Sequence, residues 1–323
     1  MKPARSAQEI ERKLPVPRAA PVKARAAALA ADRSVNDAFK AVLWANLAHL
    51  QANERGMLEG RDPEYLHQMR VALRRMRAAF SVFAPLFPEA VTAPLVAELK
   101  WLAGALGPAR DWDVFATETL PAIAADSGEH AQLGALGKRC ARLRRAAHRR
   151  AHGAVASKRH QRLMLSLAGW LAAEAWLTRM DEAARARLAG PARGFAGVVL
   201  EKRYAQVRKR GRKLAQLDAS ELHRLRIAVK KFRYATDFFA GLYRARRVRE
   251  MRERLVRLQN ILGAMNDAAT VENMTGTVFR GASNRSAKKA RDILLAWSRG
   301  RAATLKRELK GAWKEFRSAE NFW

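Results

Sequence analysis

The chain has 323 residues, with 62 Lys plus Arg against 30 Asp plus Glu, for a formal net charge of +32. That excess exceeds what solubility needs and predicts a polyanionic partner: nucleic acid, an anionic membrane surface or a phosphate polymer. A hydrophobic content of 49% excludes a basic disordered chain, and the single cysteine, Cys140, excludes a disulfide framework and a zinc site built on cysteines.

Ala, Leu and Arg dominate while β-branched residues are sparse, so the expected class is all-α, in one large or two ordinary domains. The first ten residues hold no apolar run of signal-peptide length, and no stretch approaches 18 uninterrupted apolar residues. The expectation is a cytoplasmic protein with no membrane insertion.

Residues 1–33 carry Pro3, Pro15, Pro17 and Pro21 among scattered Lys and Arg. They read as a disordered basic tail, with some helix near Ala24–Ala31. Ser34 or Asn36 can cap a first helix bearing Phe39, Val42, Leu43, Leu47 and Leu50. Gly60 and Pro63 mark a turn. The helix that follows carries His67, Arg70, Arg74 and Arg77 within roughly 80° of one another, with Met69, Leu73, Met76, Phe80 and Phe83 opposite. Four potential cations without a carboxylate repel one another at i,i+3 and i,i+4, so the stripe reads as a receiver for an anion.

Leu95, Leu99, Leu102 and Leu106 give a third helix, expected to stop at Gly107-Pro108, with Asp111 placed to cap the next. A basic helix spans about 129–153 and carries Lys138, Arg142, Arg145 and Arg149. Leu163, Leu167, Trp170 and Leu171 mark a further segment. Gly190-Pro191-Ala-Arg-Gly194 divides the folded part into halves, 34–189 and 190–318.

The halves are repeats. His223-Arg-Leu-Arg226-Ile-Ala-Val-Lys230-Lys231-Phe-Arg233 follows the His67 stretch at an offset of 156. Without a gap, the same offset lays Phe39 on Phe195, Leu106 on Leu262, Gly107 on Gly263 and Asp111 on Asp267. A match over 39–111 without insertion marks an internal duplication.

At His67-x-x-Arg70-Val71-x-x-Arg74-Arg75-x-Arg77 and Leu102-x-x-x-Leu106-Gly107-x-x-Arg110-Asp111-x-Asp113-Val114, and at their repeats, the sequence resembles the CHAD (conserved histidine α-helical domain) family. The resemblance covers roughly 35–318. It implies two antiparallel four-helix bundles related by a pseudo-two-fold axis, with basic residues of both halves lining a central pore or groove. It also implies binding of inorganic polyphosphate and association with polyphosphate granules. A strand-rich triphosphate tunnel domain, to which many members are fused, is not seen. Asp113 has Ala269 as its counterpart, a departure between the halves.

The candidate polyphosphate-binding residues are His67, Arg70, Arg74, Arg75 and Arg77 with His223, Arg226, Lys230, Lys231 and Arg233. Arg75 and Lys231 lie off the stripe, reaching the anion from the flank or pairing with acids. Arg142, Arg145, Lys202 and Arg203 are added from the neighbouring basic rows. Arg offers a planar fork and Lys a point charge to phosphoryl oxygens, and i,i+4 residues rise about 6 Å along a helix. Neither motif histidine has a His, Cys or carboxylate at i+3 or i+4, so no metal and no cofactor is expected. Asp111 and Asp113 read as helix caps before they read as a magnesium pair. No Gly-rich phosphate loop or nucleophile elbow is present, so the expectation is a binding module and not an enzyme. The competing readings are a basic helical nucleic-acid-binding protein and, behind it, a phosphotransferase or phosphatase acting on polyphosphate.

Overall fold

A computed structural model describes residues 20–27, 29–30, 32–60, 62–280 and 285–323. Eleven helices organise them: α1 (Val35–Glu59), α2 (Pro63–Phe83), α3 (Glu89–Val114), α4 (Leu120–Ser127), α5 (His130–Val155), α6 (Lys158–Ala172), α7 (Glu182–Ala189), α8 (Ala192–Arg210), α9 (Ala219–Phe239), α10 (Ala245–Val278) and α11 (Arg285–Arg317). Among the described residues there is no strand, and no helix is long and apolar enough to cross a membrane.

The 156-residue offset reappears in the element boundaries. It carries α2 onto α9, the 3₁₀ turn Ala84–Leu86 onto Ala240–Leu242, and the start of α3 onto the start of α10. Both motif helices begin alike. Asp62 accepts from the Glu64 backbone N–H ahead of Pro63, and Asp218 forms a capping box with Glu221. In each half four long helices pack in succession, α1–α2–α3–α5 and α8–α9–α10–α11.

The halves join through α2 against α9 and α1 against α8. Phe83 lies 5.3 Å from Phe195 and 5.8 Å from Phe239, so one aromatic cluster spans the junction. At Gly190-Pro191 the backbone is pinned to the start of α1: Val35 N–H donates to Gly190 O at 2.9 Å and Ala192 N–H to Arg33 O at 2.9 Å. Of the expected break only these two residues lie outside helix, since Gly194 sits in the first turn of α8.

Two expectations are corrected. α3 passes through Gly107-Pro108 and ends at Val114, so Asp111 lies inside a helix and caps nothing; Asp267 likewise lies inside α10. Proline at 108 removes only the hydrogen bond to the carbonyl of Gly104, which is exposed to water. Meanwhile Leu102, Leu106, Ala109 and Trp112 continue one buried stripe across it.

The second correction concerns the tail. The described residues between 20 and 33 are not helical and form a strap packed on the body. Val22 exchanges hydrogen bonds with the Asn53 amide at 3.0 and 2.9 Å, and its carbonyl lies 3.0 Å from His49 Nε2. Leu29 is buried, and its carbonyl lies against Gly241 of the second half, where a β-carbon would stand 2.7 Å from it. Pro21 and the pairing of Val22 with Asn53 tie the start of this stretch to α1 outside any helix. The expectation of disorder for 1–19 lies outside the described residues.

Candidate functional site

α2 and α9 present their polar stripes to one shared region. The Arg74 charge from the first half bears on both Arg226 and Lys230 of the second. Asp111 of α3 and Asp267 of α10, equivalent positions in the repeat, also bear on each other. His67, Arg70, Arg74, Arg226 and Lys230 therefore belong to a single electropositive cluster, which sequence periodicity alone could not establish.

Arg70 is the best tied of these cations. Its guanidinium donates to Ala103 O at 3.4 Å and stands 3.9 Å from Asp111. Gly107 leaves room for this approach: a β-carbon there would stand 3.1 Å from Arg70 Nη1, and the guanidinium would have to give by a few tenths of an ångström. The Nε–H groups of Arg70, Arg74 and Arg226, and Nδ1 of His67, are shielded from solvent without a protein hydrogen-bond partner. Burial lowers the pKa values of His67, Arg70 and Arg226; Arg110 adds to this at His67, while Asp111 opposes it at Arg70 and Asp267 at Arg226, with Arg74 repelling all three. Lys230 is brought down to about 7 by burial, with Arg226, Arg74 and Arg233 adding repulsion and Asp267 opposing them. Burial and Asp267 raise Asp111 while Arg70 lowers it. Crowded, shielded and under-paired cations of this kind are relieved by an anion.

Other candidates are placed elsewhere. Arg75 is buried, donating from Nε to Asn46 Oδ1 at 2.9 Å and lying 3.6 Å from Asp237, with Phe238 beneath its guanidinium at 5.4 Å. It bonds the two halves and is withdrawn from the stripe; of the two expectations for it, pairing with an acid is the one met. Arg233 donates to Gln259 at 3.0 Å and also faces Asp237 at 3.7 Å, while Arg252 completes that node at 3.0 Å. Lys231 stands beside Arg203 and Arg210 of α8. Arg203 donates across the junction to Ser81 O and Oγ at 2.9 and 3.2 Å, and Lys202 and Arg77 are exposed. His223 is exposed, with Nδ1 donating to Asn266 Oδ1 at 3.1 Å.

Arg142 is exposed on α5, while Arg145 lines a cavity of about 500 Å³ with Arg144 and His148. Beneath them Asp113 is fully buried and accepts from Arg144 Nε at 2.6 Å and His148 Nε2 at 2.8 Å; despite burial, these partners hold its carboxyl below the ordinary range. Asp113 is thus a link from α3 to α5. No group of three or more His, Cys, Asp or Glu that could hold a metal occurs among the described residues. Cys140 is buried, with its thiol pushed up to about 11.

Sequence reasoning missed Arg110, which acts on His67, and the node at Asp237. Arg110 adjoins Asp111 in the quoted motif and was legible there; Asp237 replaces Ser81 in the repeat, a difference whose partners only packing reveals.

A family model described as CHAD domain matches residues 41–274. The chain belongs to the CHAD family. The structure of the CHAD domain from the plant Ricinus communis is similar to it at 32% identity and a TM-score of 0.80, covering 94% of this chain and 99% of that one. The structure titled PptA from Streptomyces chartreusis is 19% identical with a TM-score of 0.66, over 87% of this chain and 100% of that one, and supports the fold of this CHAD chain. A search of curated proteins returned no match.

Proposed function

We propose that the chain binds inorganic polyphosphate between α2 and α9, as a binding module, and thereby associates with polyphosphate granules. The observation that carries this reading is the joint cluster: Arg74 of one repeat acts on Arg226 and Lys230 of the other. Membership of the CHAD family supports it. His67, Arg70, Arg74, Arg226 and Lys230 offer charge and hydrogen-bond donors to consecutive phosphates, while Asp111 and Asp267 limit how closely the polymer approaches the α3 and α10 side. A repetitive anion suits a site where Arg74 and Lys230, with different donor geometries, occupy equivalent positions.

The test is a salt-dependent titration with polyphosphates of defined length, wild type against the His67/Arg70/Arg74 triple alanine variant, with RNA as competitor at matched phosphate concentration. Polyphosphate affinity should fall steeply with salt, and the variant should lose both affinity and salt slope. Retained affinity for RNA without affinity for polyphosphate refutes the reading in favour of nucleic-acid binding. Shortening of the polymer in the presence of magnesium refutes the binding-only role.

A further inference from the structure

The two halves differ beside the cluster. In the first half Trp112 is buried at 5.8 Å from Phe115, and Asp113 is buried under Arg144 and His148. The equivalent residues of α10 are Ala268 and Ala269. Where they replace a tryptophan and a tethered aspartate, a cavity of about 530 Å³ opens between α9, α10 and α11, with His223 and Arg226 in its wall. Its lining includes Leu222, Leu262 and Met265 as apolar surface, with Asn266, Ser298 and Glu272 as polar groups. Ser298 donates to Ala268 O at 2.9 Å and lies 3.4 Å from Glu272 Oε1.

We infer that this cavity takes the base of a nucleoside polyphosphate whose phosphates lie on Arg226, Lys230 and Arg74, an inference that rests on the phosphate-binding reading above. An apolar pocket of a few hundred Å³ with a few polar groups is what a small planar ligand requires. Arg226 belongs to both the cavity wall and the cationic cluster, so a ligand in the cavity is continuous with the phosphate path. A bare phosphate chain has nothing to bury against Leu222, Leu262 and Met265. A nucleobase does, and its amino group can donate to the Glu272 carboxylate. The first half has Trp112 and Asp113 in these places, and its own cavity of about 500 Å³ is walled by Arg144, Arg145 and His148 without the apolar Leu262 and Met265.

The test compares ATP with inorganic tripolyphosphate by calorimetry at one ionic strength without magnesium. Both carry three phosphates and tripolyphosphate carries more charge, so electrostatics alone favours tripolyphosphate. Wild type should bind ATP at least about tenfold more tightly, from the apolar area the base buries. Ala268→Trp, which installs the residue of the other repeat, should bring ATP to the level of tripolyphosphate and leave tripolyphosphate unchanged. Ala303→Phe, at an exposed position lining the same cavity, gives the same readout should the tryptophan prevent folding. Tripolyphosphate bound with no gain from the adenosine, or a preference that survives filling of the cavity, overturns the base pocket alone. Neither ligand binding overturns the phosphate reading and this one with it.

Discussion

If the chain binds polyphosphate as proposed, Lys230 should make that binding depend on pH above neutrality. Burial and the neighbouring Arg226, Arg74 and Arg233 bring its ammonium down to about 7, against the opposing pull of Asp267. In the free protein at pH 8, about one Lys230 in ten is therefore charged. A bound polyanion restores the charged form, so binding at pH 8 should take up about 0.9 proton per chain. Between roughly pH 7.5 and 9.5 affinity should fall by nearly tenfold per pH unit. Calorimetry in buffers of different ionisation enthalpy counts the proton directly. Lys230→Arg, which titrates far above this window, should bind with almost no pH slope and no proton uptake. A flat wild-type profile, or a slope that persists in Lys230→Arg, refutes this reasoning. The sign for stability is opposite: a depressed lysine costs the folded state most below about pH 7, and that cost is relieved as pH rises toward the unfolded value.

Removing Arg75 leaves Asp237 with Arg233 and Arg252 but unties the halves; Arg75→Ala should cost about 3 kcal/mol in chemical denaturation, with polyphosphate affinity nearly unchanged in the folded fraction. Asp237→Ala should be at least as damaging, because three guanidinium groups lose their shared carboxylate. Gly241→Ala should displace the strap at Leu29, lowering thermal stability and exposing the 20–30 segment to protease, since its new β-carbon would stand 2.7 Å from the Leu29 carbonyl oxygen. His148→Ala should weaken the packing of α5 on α3 through Asp113 without altering the salt slope of polyphosphate binding.

Much of the architecture was legible because the apolar stripes are long and repeated. α2 and α9 follow from the period of their apolar faces and the offset of 156. What failed were local punctuation signals. Gly107-Pro108 reads as a stop, yet Leu106 and Trp112 share one buried face and the helix runs on. The alanines before Ser34 read as helix, yet the described residues there are not helical and the Asn53 side chain pairs with the Val22 backbone. In the site, charge and periodicity marked His67, Arg70, Arg74, Arg226 and Lys230. Periodicity set Arg75 off the stripe, toward the flank or an acid, but could not separate the five from Arg233, because the carboxylate that draws both arginines, Asp237, lies beyond the motif at a position occupied by serine in the other repeat.

In the proposed mode of binding the two repeats build one site. A double-mutant cycle on polyphosphate affinity tests it most directly, with Arg74→Ala, Arg226→Ala and the double variant titrated at fixed salt. One polymer segment per chain is expected, with losses for the pair that differ from the sum of the singles, because both guanidinium groups act on the same region. Strictly additive losses with two independent sites per chain would contradict it.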